Sequence, residues 1–126
     1  MKLSIFTTVS DPHRRGDNAK DALACYKDLA DEVVVVNGGM THLFDEDIKE
    51  IKHIWNREFS WDFIGKQFTR GYKASNGEWV IHADSDFIFH ESVVDNIRKA
   101  LEANPDAPAV SSYKWQFILP DRDNLK

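Results

Sequence analysis

The sequence predicts an α/β fold in which a mostly parallel sheet is flanked by helices. Short β-rich segments alternate along the chain with segments whose apolar residues recur at helical spacing. The valine run at residues 33–36 is apolar at every position, which is typical of a parallel strand buried on both faces. Polar clusters follow three of the predicted strands, at the ends where such sheets bind ligands.

The strands predicted from the sequence cover residues 3–9, 33–36, 53–58, 79–83 and 109–113. For residues 53–58 the alternative is an extension of the helix that precedes them. The first is rich in β-forming residues and stops at a turn cluster that ends in Pro12. The valine run is broken sharply by residues 37–39, Asn-Gly-Gly. The fourth is apolar and leads directly into Asp84.

The helices predicted from the sequence cover residues 18–30, 45–51 and 63–75, followed by one that Ser92 caps and that Asn104 and Pro105 end. Each has apolar residues three or four positions apart, which places them on one face. Together the elements follow the order βαβαβαβαβ, the alternation that produces a parallel sheet covered by helices.

Composition restricts the function classes. The chain has 126 residues, 42% of them apolar, which suits a single domain over residues 1–126. The net charge is −5 and there is no basic stripe, so we expect no nucleic-acid partner. No apolar run approaches the roughly 20 residues of a membrane span. Cys25 is the only cysteine and the first residues do not resemble a signal peptide, so we expect a cytoplasmic protein.

Asp84 and Asp86 are the residues with the clearest chemistry. If the strand geometry persists, residues two apart point the same way, and both carboxylates face one cleft. Two converging carboxylates repel each other unless a cation or a proton lies between them. Mg²⁺ or Mn²⁺ suits such oxygen ligands and keeps positions open for phosphate oxygens. The alternative is a pair of surface acids in a loop.

Four segments in this order carry a family resemblance: residues 3–10 (Leu-Ser-Ile-Phe-Thr-Thr-Val-Ser), 31–41 (Asp-Glu-Val-Val-Val-Val-Asn-Gly-Gly-Met-Thr), 64–80 (with Gly-Lys, Arg-Gly and Gly-Glu-Trp) and 84–86 (Asp-Ser-Asp). They resemble the nucleotide-sugar-binding half of family 2 glycosyltransferases. The resemblance implies the GT-A fold, which is the Rossmann-like fold of nucleotide-diphospho-sugar transferases. It also implies a metal-dependent, inverting glycosyltransferase that acts on a nucleoside-diphosphate sugar with Mn²⁺ or Mg²⁺.

The resemblance also implies roles for individual residues. The implied nucleotide-sugar-binding residues are Thr8, Ser10, Asn37, Lys66, Arg70 and Asp84, and the implied metal ligands are Asp84 and Asp86. Asn37 departs from the family pattern, because relatives usually have at this position an Asp that contacts the nucleobase. An amide offers a different set of donors and acceptors, so the identity of the base stays open.

The sequence assigns no catalytic base, since only Asp121 and Asp123 lie near the end, in a segment that resembles a polar loop. We therefore expect a chain truncated on the acceptor side, where exposed apolar surface could pair with a second copy. The acceptor is unknown. A donor-binding or interaction module without turnover is the main alternative, and a nucleotidyltransferase is a weaker one.

Overall fold

The structure of the chain, a computed structural model, describes residues 1–11, 18–39, 47–54 and 61–110. The strands there are β1 (Leu3–Val9), β2 (Glu32–Asn37), β3 (Lys49–Lys52) and β4 (Trp79–His82). The helices are α1 (Ala19–Leu29), α2 (Trp61–Ala74) and α3 (Glu91–Glu102). None of these helices is long and apolar enough to cross a membrane.

The four strands form one sheet in the order β3-β2-β1-β4, and every neighbouring pair is parallel. The register places Ile5 of β1 beside Val33 of β2 and Ile81 of β4. Because all neighbouring strands are parallel, they run in one direction and their carboxyl ends lie at the same edge of the sheet. The predicted α/β class, with a parallel sheet flanked by helices, is confirmed.

Different helices cover the two faces of the sheet. Ile5 belongs to a core cluster that includes Tyr26 of α1 and Leu101 of α3. The ring of the next residue, Phe6, packs against Phe68 of α2 with their centroids 6.5 Å apart. Since successive residues of a strand point to opposite faces, α1 and α3 cover one face and α2 covers the other.

The valine run lies at the centre of this arrangement. Each of the four valines at residues 33–36 is at most 4% exposed, as expected for a strand buried on both faces. Full burial of a valine side chain stabilises the fold by roughly 1.5–3 kcal/mol. The run therefore holds β2 firmly, and with it Asn37 at the strand's end.

The third strand lies where a helix is predicted. The helix over residues 45–51 is wrong, because Lys49–Lys52 forms β3, which pairs with β2 from Val34 to Asn37. Ile48 and Ile51 are three residues apart, which fits a helix. Two apolar residues cannot distinguish the two structures, however, and pairing with β2 decides the outcome.

Two further boundaries differ from the predictions. His53 and Ile54 follow β3 and are not part of a strand, and the rest of the strand predicted over residues 53–58 lies outside the described residues. Of the strand predicted over residues 109–113, only 109 and 110 are described, and neither is in a strand.

The N-cap of α3 also lies two residues earlier than predicted. His90, not Ser92, is the N-cap, because its ring nitrogen accepts a hydrogen bond from the Ser92 backbone N–H at 3.1 Å. The imidazole thereby does what serine or aspartate oxygens usually do at this position.

Candidate functional site

Five of the predicted site residues lie at or after the ends of strands, at the edge where the parallel strands end: Thr8, Ser10, Asn37, Asp84 and Asp86. Thr8 and Ser10, both half-buried, lie at the end of β1, and Asn37 is the last residue of β2. Because Phe6 pairs with His82, Asp84 follows β4 at this same edge. The order of the strands thus places the β1 residues between Asn37 and the two aspartates, at the edge of the sheet where α/β proteins usually bind ligands.

The Asp84–Asp86 segment is a turn and does not continue the strand. β4 ends at His82, and the Ala83 N–H still donates to the Phe6 carbonyl at 3.1 Å. The Phe87 N–H then donates to the Asp84 carbonyl at 3.2 Å and closes the turn. The condition that strand geometry persists is therefore not met. Both aspartates are exposed to solvent.

Tyr26 holds this turn from the hydrophobic core. Its side chain is fully buried, and its hydroxyl donates a hydrogen bond to the backbone carbonyl of Asp84. Burial raises the pKa of Tyr26, and the charges of Cys25 and Asp86 add to the effect, so the hydroxyl stays protonated as a donor. The sequence pattern shows Tyr26 only as part of an apolar helix face. A buried tyrosine usually needs a partner for its hydroxyl, and that is the signal that could have found it.

The segment after the turn is tied to α1 through Cys25. Its sulfur lies 3.2 Å from both the backbone nitrogen and the backbone oxygen of Phe89. The Phe89 ring also packs edge-on against Tyr26, with centroids 5.7 Å apart. Cys25 is thus a packing residue, as its helical position predicts, and it helps to hold the chain that leaves the Asp84–Asp86 turn.

His82 packs between two aromatic rings. Its centroid is 5.0 Å from that of Phe6 and 4.4 Å from that of Phe68. Its Nε2 lies 3.9 Å from Oδ1 of Asp84, too far for a hydrogen bond. Burial lowers the pKa of His82, and the Asp84 carboxylate opposes this only in part.

Two hydrogen bonds between described residues hold the Asn37 side chain at the end of β2. It is 1% exposed. Its Nδ2 donates to Oε1 of Glu50 at 2.9 Å, and its Oδ1 accepts from the Gly39 N–H at 2.9 Å. Glu50 is absent from the site predicted from the sequence, because its segment is interpreted there as a helix. The contact exists only because β3 pairs with β2.

Lys66 and Arg70 lie on α2, as predicted, and both are exposed. Nζ of Lys66 is 3.2 Å from the Asp62 carboxylate, an exposed pair one helical turn apart. Burial, together with the charges of Arg70 and Lys66, lowers the pKa of His53, the residue that follows β3. The two cations are therefore near the β3 side of the sheet, whereas Asp84 and Asp86 follow β4.

The donor set fits a hard divalent cation that is only partly coordinated by protein. Asp84 and Asp86 offer carboxylate oxygens on an exposed turn, and the Asp84 side chain is 57% accessible. No group of three or more histidine, cysteine, aspartate or glutamate side chains able to hold a metal occurs among the described residues. A Mg²⁺-like ion bound through one or two carboxylates usually takes its other ligands from substrate phosphates and water.

Comparison with known proteins gives the family. The model of the family described as Glycosyl transferase family 2 matches residues 13–123, which is most of the chain. No curated protein matches the chain significantly. The match extends over α1, the sheet from β2 onward and the Asp84–Asp86 turn. The chain therefore belongs to glycosyl transferase family 2.

Proposed function

We propose that the chain binds a nucleoside-diphosphate sugar through a divalent cation and transfers the sugar to an acceptor. Family membership supports the reaction class. The observation that carries the proposal is the placement of Asp84 and Asp86 on a fixed, exposed turn at the end of β4, beside the end of β1.

In this proposal Asp86 binds the cation and Asp84 reaches the cation or the ribose. Mn²⁺ or Mg²⁺, when bound, neutralises the charge that develops on the departing diphosphate. Thr8 and Ser10 line the base and ribose pocket beside Asn37. Lys66 and Arg70 supply positive charge for the donor from α2.

Transfer forms a bond from the acceptor hydroxyl oxygen to the anomeric carbon and breaks the bond from that carbon to the diphosphate oxygen. In an inverting reaction the hydroxyl proton passes to a general base. No residue of this chain is assigned that role. In this proposal the described part of the chain contributes donor binding and leaving-group stabilisation.

Calorimetric titration with UDP, GDP and TDP tests donor binding, with Mn²⁺ and then with a chelator. We expect one of them to bind only with the metal, and Asp86→Ala to abolish that binding. Asp106→Ala is the matched control, because Asp106 is an exposed aspartate beyond α3. Equal binding by the Asp86→Ala variant would remove the metal role of Asp86.

Turnover is tested separately, by measuring whether the purified chain hydrolyses a nucleoside-diphosphate sugar. Release of a nucleoside diphosphate supports a transferase. Binding without any release favours a donor-binding module. Release of pyrophosphate from a nucleoside triphosphate and a sugar phosphate would instead indicate a nucleotidyltransferase.

A further inference from the structure

A chain of contacts crosses the ends of three strands on the donor side of the sheet. It begins at Glu50 in β3, whose carboxylate accepts a hydrogen bond from Nδ2 of Asn37 at 2.9 Å. Oδ1 of Asn37 accepts from the Gly39 N–H, also at 2.9 Å. An ionised carboxylate can only accept hydrogen bonds, and a backbone N–H can only donate one. The two partners therefore fix which end of the Asn37 amide faces which way.

The next contact joins the segment after β2 to the segment after β1. A Cβ atom on Gly39 would lie 2.5 Å from Oδ1 and 2.7 Å from the backbone nitrogen of Asp11. Only glycine allows this approach. Asp11 has a φ of 45°, in the left-handed region that residues other than glycine adopt rarely. Such a conformation persists only where the surroundings hold it.

The identity of residue 37 also depends on Glu50. A carboxylate at position 37 would face the Glu50 carboxylate at hydrogen-bond distance, and like charges that close repel each other. The amide of Asn37 removes this repulsion and adds a donor. The Asn37 amide and the Glu50 carboxylate are thus complementary in hydrogen bonding.

We propose that Glu50 is a positioning residue of the donor site. Through Asn37 it holds the Gly39 backbone against Asp11 and so sets the shape of the nucleotide pocket at the ends of β1 and β2. The inference rests on the proposed function, because it assumes that a nucleotide binds at this edge. Glu50 acts through Asn37 and is not a catalytic residue.

The test combines nucleotide affinity with amide exchange at Gly39. Affinity for UDP, GDP and TDP with Mn²⁺ is measured by calorimetry for Glu50→Ala and Glu50→Gln. Removing one hydrogen bond should weaken binding about tenfold in Glu50→Ala. Glu50→Gln keeps an acceptor for Nδ2 and should stay within about twofold of the parent, because the hydrogen bond is retained. Glu102→Ala, at an exposed glutamate in α3, is the matched control and should bind as the parent does.

A reciprocal exchange separates positioning from simple destabilisation. Asn37→Asp should weaken binding because two carboxylates then meet. Adding Glu50→Gln to that variant supplies an amide donor to the new carboxylate and should restore most of the affinity. The Gly39 N–H should exchange faster in Glu50→Ala and Asn37→Asp, and at the parent rate in Glu50→Gln and in the double variant.

Each outcome decides the proposal. Parent-like affinity and parent-like Gly39 exchange in Glu50→Ala would overturn it. Failure of Glu50→Gln to rescue Asn37→Asp would also overturn it, since the hydrogen bond would then not be what matters. If the parent chain binds none of the nucleotides, the proposed function fails, and positioning of a donor fails with it. Faster Gly39 exchange in Glu50→Ala would then show a purely structural contact.

Discussion

The hydroxyl of Tyr26 in α1 donates a hydrogen bond to the backbone carbonyl of Asp84, the first residue of the Asp84–Asp86 turn. The contact spans 58 residues of sequence, and the tyrosine ring is fully buried. It joins the hydrophobic core to the turn that we propose holds the metal. The position of the two carboxylates therefore depends partly on the packing of Tyr26 in the core. A change at Tyr26 should alter metal-dependent binding at the turn.

Tyr26→Phe should affect both stability and donor binding. Loss of the hydroxyl leaves the Asp84 carbonyl without this donor and should lower the free energy of unfolding by about 1 kcal/mol. Because the turn loses its anchor, metal-dependent nucleotide binding should weaken more than this loss of stability would cause. Chemical denaturation and calorimetry give the two quantities. Tyr72→Phe, at a tyrosine 63% exposed on α2, is the control and should change neither.

How far the sequence predicts the fold depends on the length and pattern of each segment. The valine run and the helical spacing of α1 and α2 are long enough to identify their structures, and the observed elements agree with them. β3 has four residues, of which only Ile51 is apolar, and its spacing from Ile48 just before the strand fits a helix equally well. Its structure is decided by pairing with β2, which no local pattern contains.

The site shows the same limit. Asp84 and Asp86 can be proposed from sequence because a short motif follows a strand. Tyr26 and Glu50 cannot, because each matters through a partner distant in sequence: Asp84 for the tyrosine and Asn37 for the glutamate. A pattern of single residues contains no information about such pairs until the register of the sheet is known.

Two glycines of α2 should respond in opposite ways to alanine. A Cβ atom on Gly71 would lie 2.4 Å from the Phe6 ring, whereas nothing lies within 4 Å of one on Gly65. Gly71→Ala should therefore push α2 away from β1 and cost about 1–3 kcal/mol through overpacking. Gly65→Ala should stabilise the chain by up to about 1 kcal/mol, because alanine favours helix. Thermal or urea unfolding measures both, and equal effects would contradict the close approach at Gly71.

Glu32 should make stability depend on pH in the acid range. Burial opposes its ionisation, but hydrogen bonds from the Asn76 backbone, the Ser4 hydroxyl and the Asn76 side chain outweigh it and lower the pKa of Glu32 from 4.5 to about 2. The native state thus binds this proton less readily than the unfolded state. The stabilisation is present above pH 4.5 and is lost as the pH falls towards 2.

Glu32→Gln tests this dependence. Between pH 4.5 and about pH 2 the free energy of unfolding should change less steeply with pH than in the parent. The slope should correspond to up to about one proton fewer taken up on unfolding, because the glutamine side chain does not titrate. Urea unfolding at a series of pH values gives the slope. Glu102→Gln, at an exposed glutamate of α3, is the matched control, and an equal decrease there would show that the network around Glu32 is not the cause.

Two hydroxyls of β1 should show opposite effects when they are removed. Ser4 and Thr7 are both fully buried. The Ser4 hydroxyl donates to Glu32 at 2.5 Å and accepts from the Gly77 N–H at 2.8 Å. Oγ1 of Thr7 has no hydrogen-bond partner among the described residues. Burial of an unsatisfied polar group costs about 1–3 kcal/mol, whereas a satisfied one contributes to stability.

Thr7→Val keeps the shape of the side chain and removes the unsatisfied oxygen, so it should raise the free energy of unfolding by about 1 kcal/mol. Ser4→Ala removes one donor and one acceptor and leaves Glu32 and the Gly77 N–H each short of a partner. It should lower the free energy of unfolding by about 1–3 kcal/mol. Urea unfolding of both variants at pH 7 distinguishes them by sign. A loss of stability in Thr7→Val would mean that its hydroxyl has a partner in the folded chain.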